Sequence, residues 1–264
     1  MSEDEKIRLG GMALPNGVLV HGPNSWACAI RGEDGRIEVA SSLKRFRASN
    51  VSSPFLRGPA RLAEALALLP QVKRALPNAK LPMQNRRVVS AMIGTAAIVR
   101  GVRESGRLRP AAQELLSGFL SLAPAMLALR GGELAAYHGA EHISIGRYEH
   151  GDDAQREHER CGGHLVGPLI ATSAVGNVLA GFAPARVRNQ ARAVAQIGAV
   201  AAATEIFGWM TRNPRNPLAQ ALSKPGHELQ HRFSTAEPTP EQLEVAEAAL
   251  AACLELEHGA DNQN

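Results

Sequence analysis

Apolar positions change their period along the chain. Up to about residue 50 they come as short β-prone runs, at 17–21 (GVLVH) and 26–30 (WACAI), while 36–40 alternates polar and apolar. Glu33, Asp34 and Gly35 give a turn signal between the last two runs. This pattern predicts a small antiparallel sheet, its start punctuated by Gly10-Gly11 and by Pro15, Asn16 and Gly17. From about Pro59 the spacing becomes helical, and helices are predicted over 59–70, 85–104, 110–129, 133–150, 157–182 and 187–212. Asn213-Pro214 and Asn216-Pro217 then break the pattern. A last helix follows from Thr239 as N-cap, Pro240 at the first helical position and Gln242 closing a capping box. Leu243, Ala246, Leu250 and Leu254 recur along it at helical spacing. The expected fold class is mainly α with a small N-terminal antiparallel β element (α+β) on a helical bundle core. Residues 1–50 form the β element, 51–258 the helical domain and 259–264 a disordered tail, in one compact unit.

Composition sharpens this picture. Apolar residues make up 45% of the 264, yet aromatics only 4%, so Ala, Leu and Val must fill the core, which favours close-packed helices. The net charge of +4 is scattered and not interleaved with aromatics, so a basic solvated or membrane-facing surface is expected and nucleic-acid binding is not. Three cysteines, Cys28, Cys161 and Cys253, fit a reducing compartment, and the charged N-terminus does not read as a secretory signal. The expected location is the cytoplasm or the cytoplasmic face of a membrane. Residues 165–185 carry no charge and are nominally long enough to cross a bilayer. Gly167, Pro168, Asn177 and Gly181 dilute that run, so it is read first as a buried core helix, with a membrane segment as the alternative.

Chemistry concentrates between 138 and 164, where His138, His142, His150, His158 and His164 lie among Glu141, Glu149, Asp152, Asp153, Glu157, Glu159 and Cys161. His138, Glu141 and His142 have the order H-x-x-E-H. On a helix, residues i and i+4 share a face, so both imidazoles can hold one ion. Glu141, about 60 degrees round the helix from His138, can hold a water beside it. That is the inverted zinc-peptidase arrangement. The competing reading is a surface helix with two solvated histidines. A third ligand is required, and Glu149, His158 and Cys161 are the near candidates. His158 and Cys161 stand three apart, and Gly162-Gly163 follow as a flexible turn; buried as a small apolar residue, Cys161 would have no such role. Glu205, a lone carboxylate in an apolar helix, is a distant candidate, with an arginine partner as the alternative. His227, Glu228 and His231 give a second order, H-E-x-x-H, but Pro225-Gly226 would place His227 at a helix start. His227 or Glu228 is expected instead to face the pocket of His138. No nucleotide-binding glycine loop and no serine-nucleophile motif is present.

Several stretches together resemble the YqhQ family, a bacterial and plastid family of unknown function catalogued as predicted metal-dependent enzymes. They are residues 10–23 (GGMALPNGVLVHGP), Arg57-Gly58, residues 137–142 (YHGAEH), Tyr148-Glu149 with Gly151, His158 with Arg160, Cys161 and Gly162, Leu229-Gln230 with Thr235, and Glu237-Pro238. The resemblance runs from about Gly10 to about Leu250. It implies that His138, Glu141, His142, Glu149, His158 and Cys161 are the family's polar positions, and it implies a metal without naming a reaction. Many of its members look like multi-pass membrane proteins. The chain departs from the pattern at Ile143, where a lysine is usual, at Glu159 and Gly163, and at Asn16, where an acidic residue is common.

Two readings follow. In the first, the chain is a zinc-dependent hydrolase in which His138 and His142 hold the ion with Glu149, His158 or Cys161. Glu141 activates a water bound to it, on an unidentified substrate that by analogy alone would be an amide or peptide. Cysteine among the ligands leans to zinc, and a Glu149 site would admit iron or manganese. In the second, a closed set such as His138, His142, His158 and Cys161 staples helices in a non-catalytic scaffold or assembly factor at a membrane. Thiol chemistry at Cys161, with His158 or His164 as base, ranks last because no second cysteine is near.

Overall fold

The computed structural model describes residues 6–81, 84–129, 132–151 and 154–261. Asp152, Asp153 and the end of the expected tail, 262–264, lie outside them. Four strands form one antiparallel meander: β1 (Gly10–Leu14), β2 (Gly17–His21), β3 (Ser25–Arg31) and β4 (Ile37–Leu43). Strand β1 is an addition to the expected three. Its two glycines read as punctuation, yet Gly10 pairs with His21 and Gly11 with Val20. Gly35, at φ 79°, closes the expected turn before β4, a backbone region that glycine enters without strain.

Strands β2 and β3 are apolar in continuous runs because they are covered on both faces. Val18, Val20, Ala27 and Ala29 face Val245, Ala246, Ala249 and Cys253 of α9 (Pro240–Asp261) and Tyr137 and Ala140 of α5 (Glu133–His150). Leu19, Trp26, Cys28 and Ile30 face Leu68 and Val72 of α1 (Pro54–Ala75) and Leu76 beyond it. The predicted capping box opens α9: Thr239 N–H donates to Gln242 Oε1 at 2.9 Å, and Gln242 N–H to Thr239 Oγ1 at 3.3 Å. The helix runs on to Asp261, so 259–261 belong to it and not to a tail. Near its end the buried Glu257 accepts from Asn24 N–H at 2.9 Å, Ser25 N–H at 2.6 Å and Ser25 Oγ–H at 2.8 Å, fixing the turn between β2 and β3.

The remaining helices are α2 (Arg86–Glu104), α3 (Pro110–Ser121), α4 (Ala123–Leu129), α6 (Val166–Gly181), α7 (Arg188–Arg212) and α8 (Pro217–Leu229). Two expectations are corrected here. The predicted helix over 157–182 begins only at Val166, after a 3-10 turn at Gly162–Leu165, because Gly162 and Gly163 let the chain bend at Cys161. Helix α8 was not expected. Asn216 caps it on Leu218 N–H at 2.9 Å and Pro217 opens it, so His227 lies in its last turn and not at its start.

Helices α2, α3, α6 and α7 are inverted relative to an ordinary core. The stretches Ala112–Leu129, Gly162–Gly181 and Ala185–Arg212 are long and apolar enough to cross a membrane, yet only 11%, 22% and 22% of their apolar windows are buried. They are therefore not the buried core helices that their apolar runs suggested. Ile93, Phe119, Val175, Leu179, Val194 and Ile197 point outward. Polar side chains bridge the helices, and two of them, Glu114 and Asn177, are buried. The largely buried Glu114 accepts from Arg103 at 2.7 Å and from Asn177 at 2.8 Å, and Asn177 accepts from Gln196 at 3.1 Å.

Glu257→Ala should lower stability by roughly 3 kcal/mol, since each buried donor left unpaired costs about 1–3 kcal/mol. The thermal unfolding midpoint of the full chain measures this, and an unchanged midpoint would show that the β2–β3 turn does not depend on the carboxylate.

Candidate metal centre

Helix α5 carries the site, and nearly its whole surface is covered: Ala136, Gly139, Glu141, His142, Ile145 and Glu149 are all buried. Gly151, at φ 102°, ends it in a conformation that a side chain would strain. Two glycines seven residues apart, hence on one face, let other segments lie against it. A Cβ on Gly139 would overlap the Ala236 carbonyl, and one on Gly146 would come within 2.9 Å of the Ala154 Cβ. The backbones that cross there supply Ser234 O to His138 Nδ1 at 2.7 Å and Arg156 O to His142 Nδ1 at 2.6 Å.

A carbonyl only accepts, so each Nδ1 carries the ring proton and each Nε2 keeps its lone pair. This is how metal-binding histidines are commonly oriented. The Cys161 thiol lies 3.6 Å from His138 Nε2, and the donor atoms of His138, His142 and Cys161 all fall within 4.8 Å of one another. Around a tetrahedral zinc, with Zn–N of about 2.05 Å and Zn–S of about 2.3 Å, nitrogen and sulfur stand roughly 3.6 Å apart. The His138–Cys161 spacing thus matches that around a tetrahedral ion, and the three donors, all within 4.8 Å of one another, are of the kinds such an ion takes.

Glu141 Oε2 stands 3.8 Å from His138 Nε2 and 3.9 Å from His142 Nε2, too far for hydrogen bonds and near enough to share a small species with both. Burial pushes its carboxyl up to about 8. Burial and the neighbouring His138 push His142 down to about 2, and burial lowers His138 too. The Cys161 thiol is pushed up to about 12 by burial, so without a cation beside it the sulfur stays protonated. Each donor is therefore in its neutral form, and a divalent cation is the charge that reverses this for Cys161 and Glu141.

The other residues singled out by sequence divide clearly. His158 stays within one ring of the centre, its centroid 5.6 Å from that of His142, but its Nε2 lies 3.1 Å from Glu149 Oε2. Glu149 is also held by Arg160, so these two pair with each other instead of joining the cluster. Glu205 is gripped by Arg57 through two bonds, one of them from Nε to Oε1 at 2.6 Å, the arginine alternative to a metal role. His227 lines a neighbouring cavity with His164 and Phe207, and Glu228 pairs with Arg232 at 2.8 Å; neither lines the cavity of His138. His231 pairs with Glu157 at 2.9 Å.

Two further residues carry the site. Gln230, fully buried, accepts from His158 N–H at 2.9 Å and meets His164 Nε2 at 2.9 Å; its signals in the sequence were its place inside H-E-L-Q-H and in the resembling stretch Leu229-Gln230. Gly11 of β1 lies beneath Glu141, and a Cβ there would overlap the carboxyl group. The centre opens into a cavity of 740 Å³ bounded by β1, α1, α5 and α7.

Gly11→Ala should cost about 1–3 kcal/mol through overpacking. In a Glu141→Ala background, which vacates the overlapped space, that cost should fall below about 0.5 kcal/mol. A thermal-unfolding cycle of the four proteins tests the contact, and additive effects would refute it.

No curated protein and no solved structure matches the chain. Residues 132–256, which include every donor of the centre, match the model of a family described as "Protein of unknown function (DUF1385)", an uncharacterised family.

Proposed function

We propose that the chain is a membrane-associated, metal-dependent hydrolase whose ion, zinc by the donor chemistry, is held by His138, His142 and Cys161. The observation that carries this reading is the pair of histidines whose Nδ1 protons are tied to Ser234 O and Arg156 O, leaving two Nε2 lone pairs beside a half-buried thiol. Three protein ligands leave one position of a tetrahedral ion open, which is the arrangement of catalytic and not of closed structural zinc. The ion would acidify water and polarise a carbonyl when bound. Glu141 would take a proton from that water, since its carboxylate stands about equally far from both imidazoles and faces the cavity. Ser234 O and Arg156 O would keep both rings in the required tautomer. His158 and Glu149 would act outside the ligand set. The resemblance to the YqhQ family supports the metal and leaves the scissile bond open; an amide or peptide is the choice by analogy with other zinc hydrolases.

Purified chain should contain about one zinc ion per molecule, and His138→Ala/His142→Ala none, by elemental mass spectrometry. Absence of metal from the wild type after reconstitution would overturn the reading. Cobalt-substituted protein should show thiolate-to-cobalt absorption that Cys161→Ser removes; unchanged absorption would exclude Cys161 as a ligand. Glu141→Gln should keep the metal and abolish turnover in a screen of amide and ester substrates.

Membrane association rests on the inverted helices. Ala185–Arg212 has 28 residues, about 42 Å of helix against a hydrocarbon thickness of about 30 Å, with apolar residues outward and the bonded Glu114–Asn177 pair inward. The chain should sediment with membranes and be released by detergent but not by alkaline carbonate. Recovery in the carbonate wash would assign the apolar surface to another use.

A further inference from the structure

One wall of the cavity carries a charge excess that neither the centre nor the fold uses. Arg57 and Arg61 stand one turn apart on α1, and Glu205 and Arg212 two turns apart on α7, so the four share facing sides of two packed helices. All four line the cavity that holds His138, Glu141 and Cys161. Arg57, Arg61 and Arg212 all act electrostatically on Glu205, but only Arg57 bonds to it. That leaves two guanidinium groups, Arg61 and Arg212, without a hydrogen bond or ion pair among the described residues. Close packing brings them together: Gly58 lies against Thr204, where a Cβ would overlap the threonine hydroxyl, so α1 and α7 approach closely just beside the arginines. Leu62, Leu129 and Phe207 line the same cavity and give it an apolar side.

We propose that Arg61 and Arg212, braced by the Arg57–Glu205 pair, bind a phosphate or similar oxyanion carried by the substrate. The assignment of that ligand as substrate rests on the proposed metal centre; the anion site itself does not. Guanidinium groups suit the task because each offers two parallel donors to one oxyanion and stays charged at any working pH. Glu205 has a defined part here. It fixes the Arg57 guanidinium and removes one positive charge, which leaves Arg61 and Arg212 as the unpaired cations of this wall, while Arg8 ahead of β1 lines the same cavity. The ligand therefore combines an anionic group with an apolar part that meets Leu62 and Phe207.

The test is a calorimetric titration of the full, detergent-solubilised chain with two probes, inorganic phosphate and dihexanoyl phosphatidate, with metal content measured on every sample. Arg61→Gln/Arg212→Gln should retain its metal and raise the Kd for both probes at least tenfold. Arg61→Lys/Arg212→Lys should recover part of the loss, which a merely misfolded variant would not. Tighter binding of the phosphatidate than of phosphate by tenfold or more would identify a lipid headgroup as the source, and equal affinities a soluble phosphate; both outcomes support the site. Unchanged Kd values in the glutamine variant, or no binding of either probe by the wild type, would overturn it. If the wild type holds no metal and still binds phosphate through these arginines, the hydrolase reading fails and the anion site stands.

Discussion

Everything near the centre depends on a buried carboxyl group standing between two imidazoles that carry no charge. Burying an ionised Glu141 without a partner would cost several kcal/mol, and among the described residues no lysine or arginine is paired with it. The fold answers by holding His138 and His142 in one tautomer through backbone carbonyls and by presenting their lone pairs, with the Cys161 sulfur, around the same small volume. The glycines at 139 and 146 are the local condition for this, because a methyl group at either would push away the segment that supplies a carbonyl. The sequence of α5 is thus constrained at alternating positions, by its donors and by the absence of side chains between them.

That constraint explains which parts of the molecule were legible from sequence. The strands at 17–21 and 26–30, the helix 133–150 and the capped C-terminal helix were readable because each is decided by local periodicity or capping chemistry. Strand β1 was missed because its glycines signal a turn locally, whereas Gly11 lies against Glu141, more than a hundred residues away in sequence. The partner of Glu205 was open for the same reason, since Arg57 lies 148 residues away. His138 and His142 followed from i, i+4 spacing. The third donor did not, because Cys161 arrives through an irregular segment, and the composition of such a segment cannot separate Cys161 from His158 and Glu149. The carbonyls of Ser234 and Arg156 were invisible in principle, being main-chain atoms that any residue type would supply.

The helices outside the sheet layer follow a different rule. In the sheet, α5 and α9, apolar side chains face inward, and the buried carboxylate of Glu257 is matched by hydrogen bonds. In α2, α3, α6 and α7 the apolar side chains face outward, and Glu114, Asn177 and Gln196 face each other. The centre lies where these two packing regimes meet, with α5 from the first and α7 from the second bounding one cavity. A ligand with both polar and apolar parts can therefore reach the donors without leaving surroundings that suit each part.

The position of Gly11 has a consequence for how such a chain diversifies. Every donor of the centre falls in residues 132–256, but the surfaces opposite them, β1 with Gly11 and α1 with Arg57 and Arg61, come from the first 75 residues. The donors and part of the wall that faces them thus come from separate stretches of the chain, with Glu205 and Arg212 completing that wall from the matched stretch. Recombination that exchanged the leading stretch would change what the cavity admits while leaving its donors intact, provided that a glycine is kept beneath Glu141.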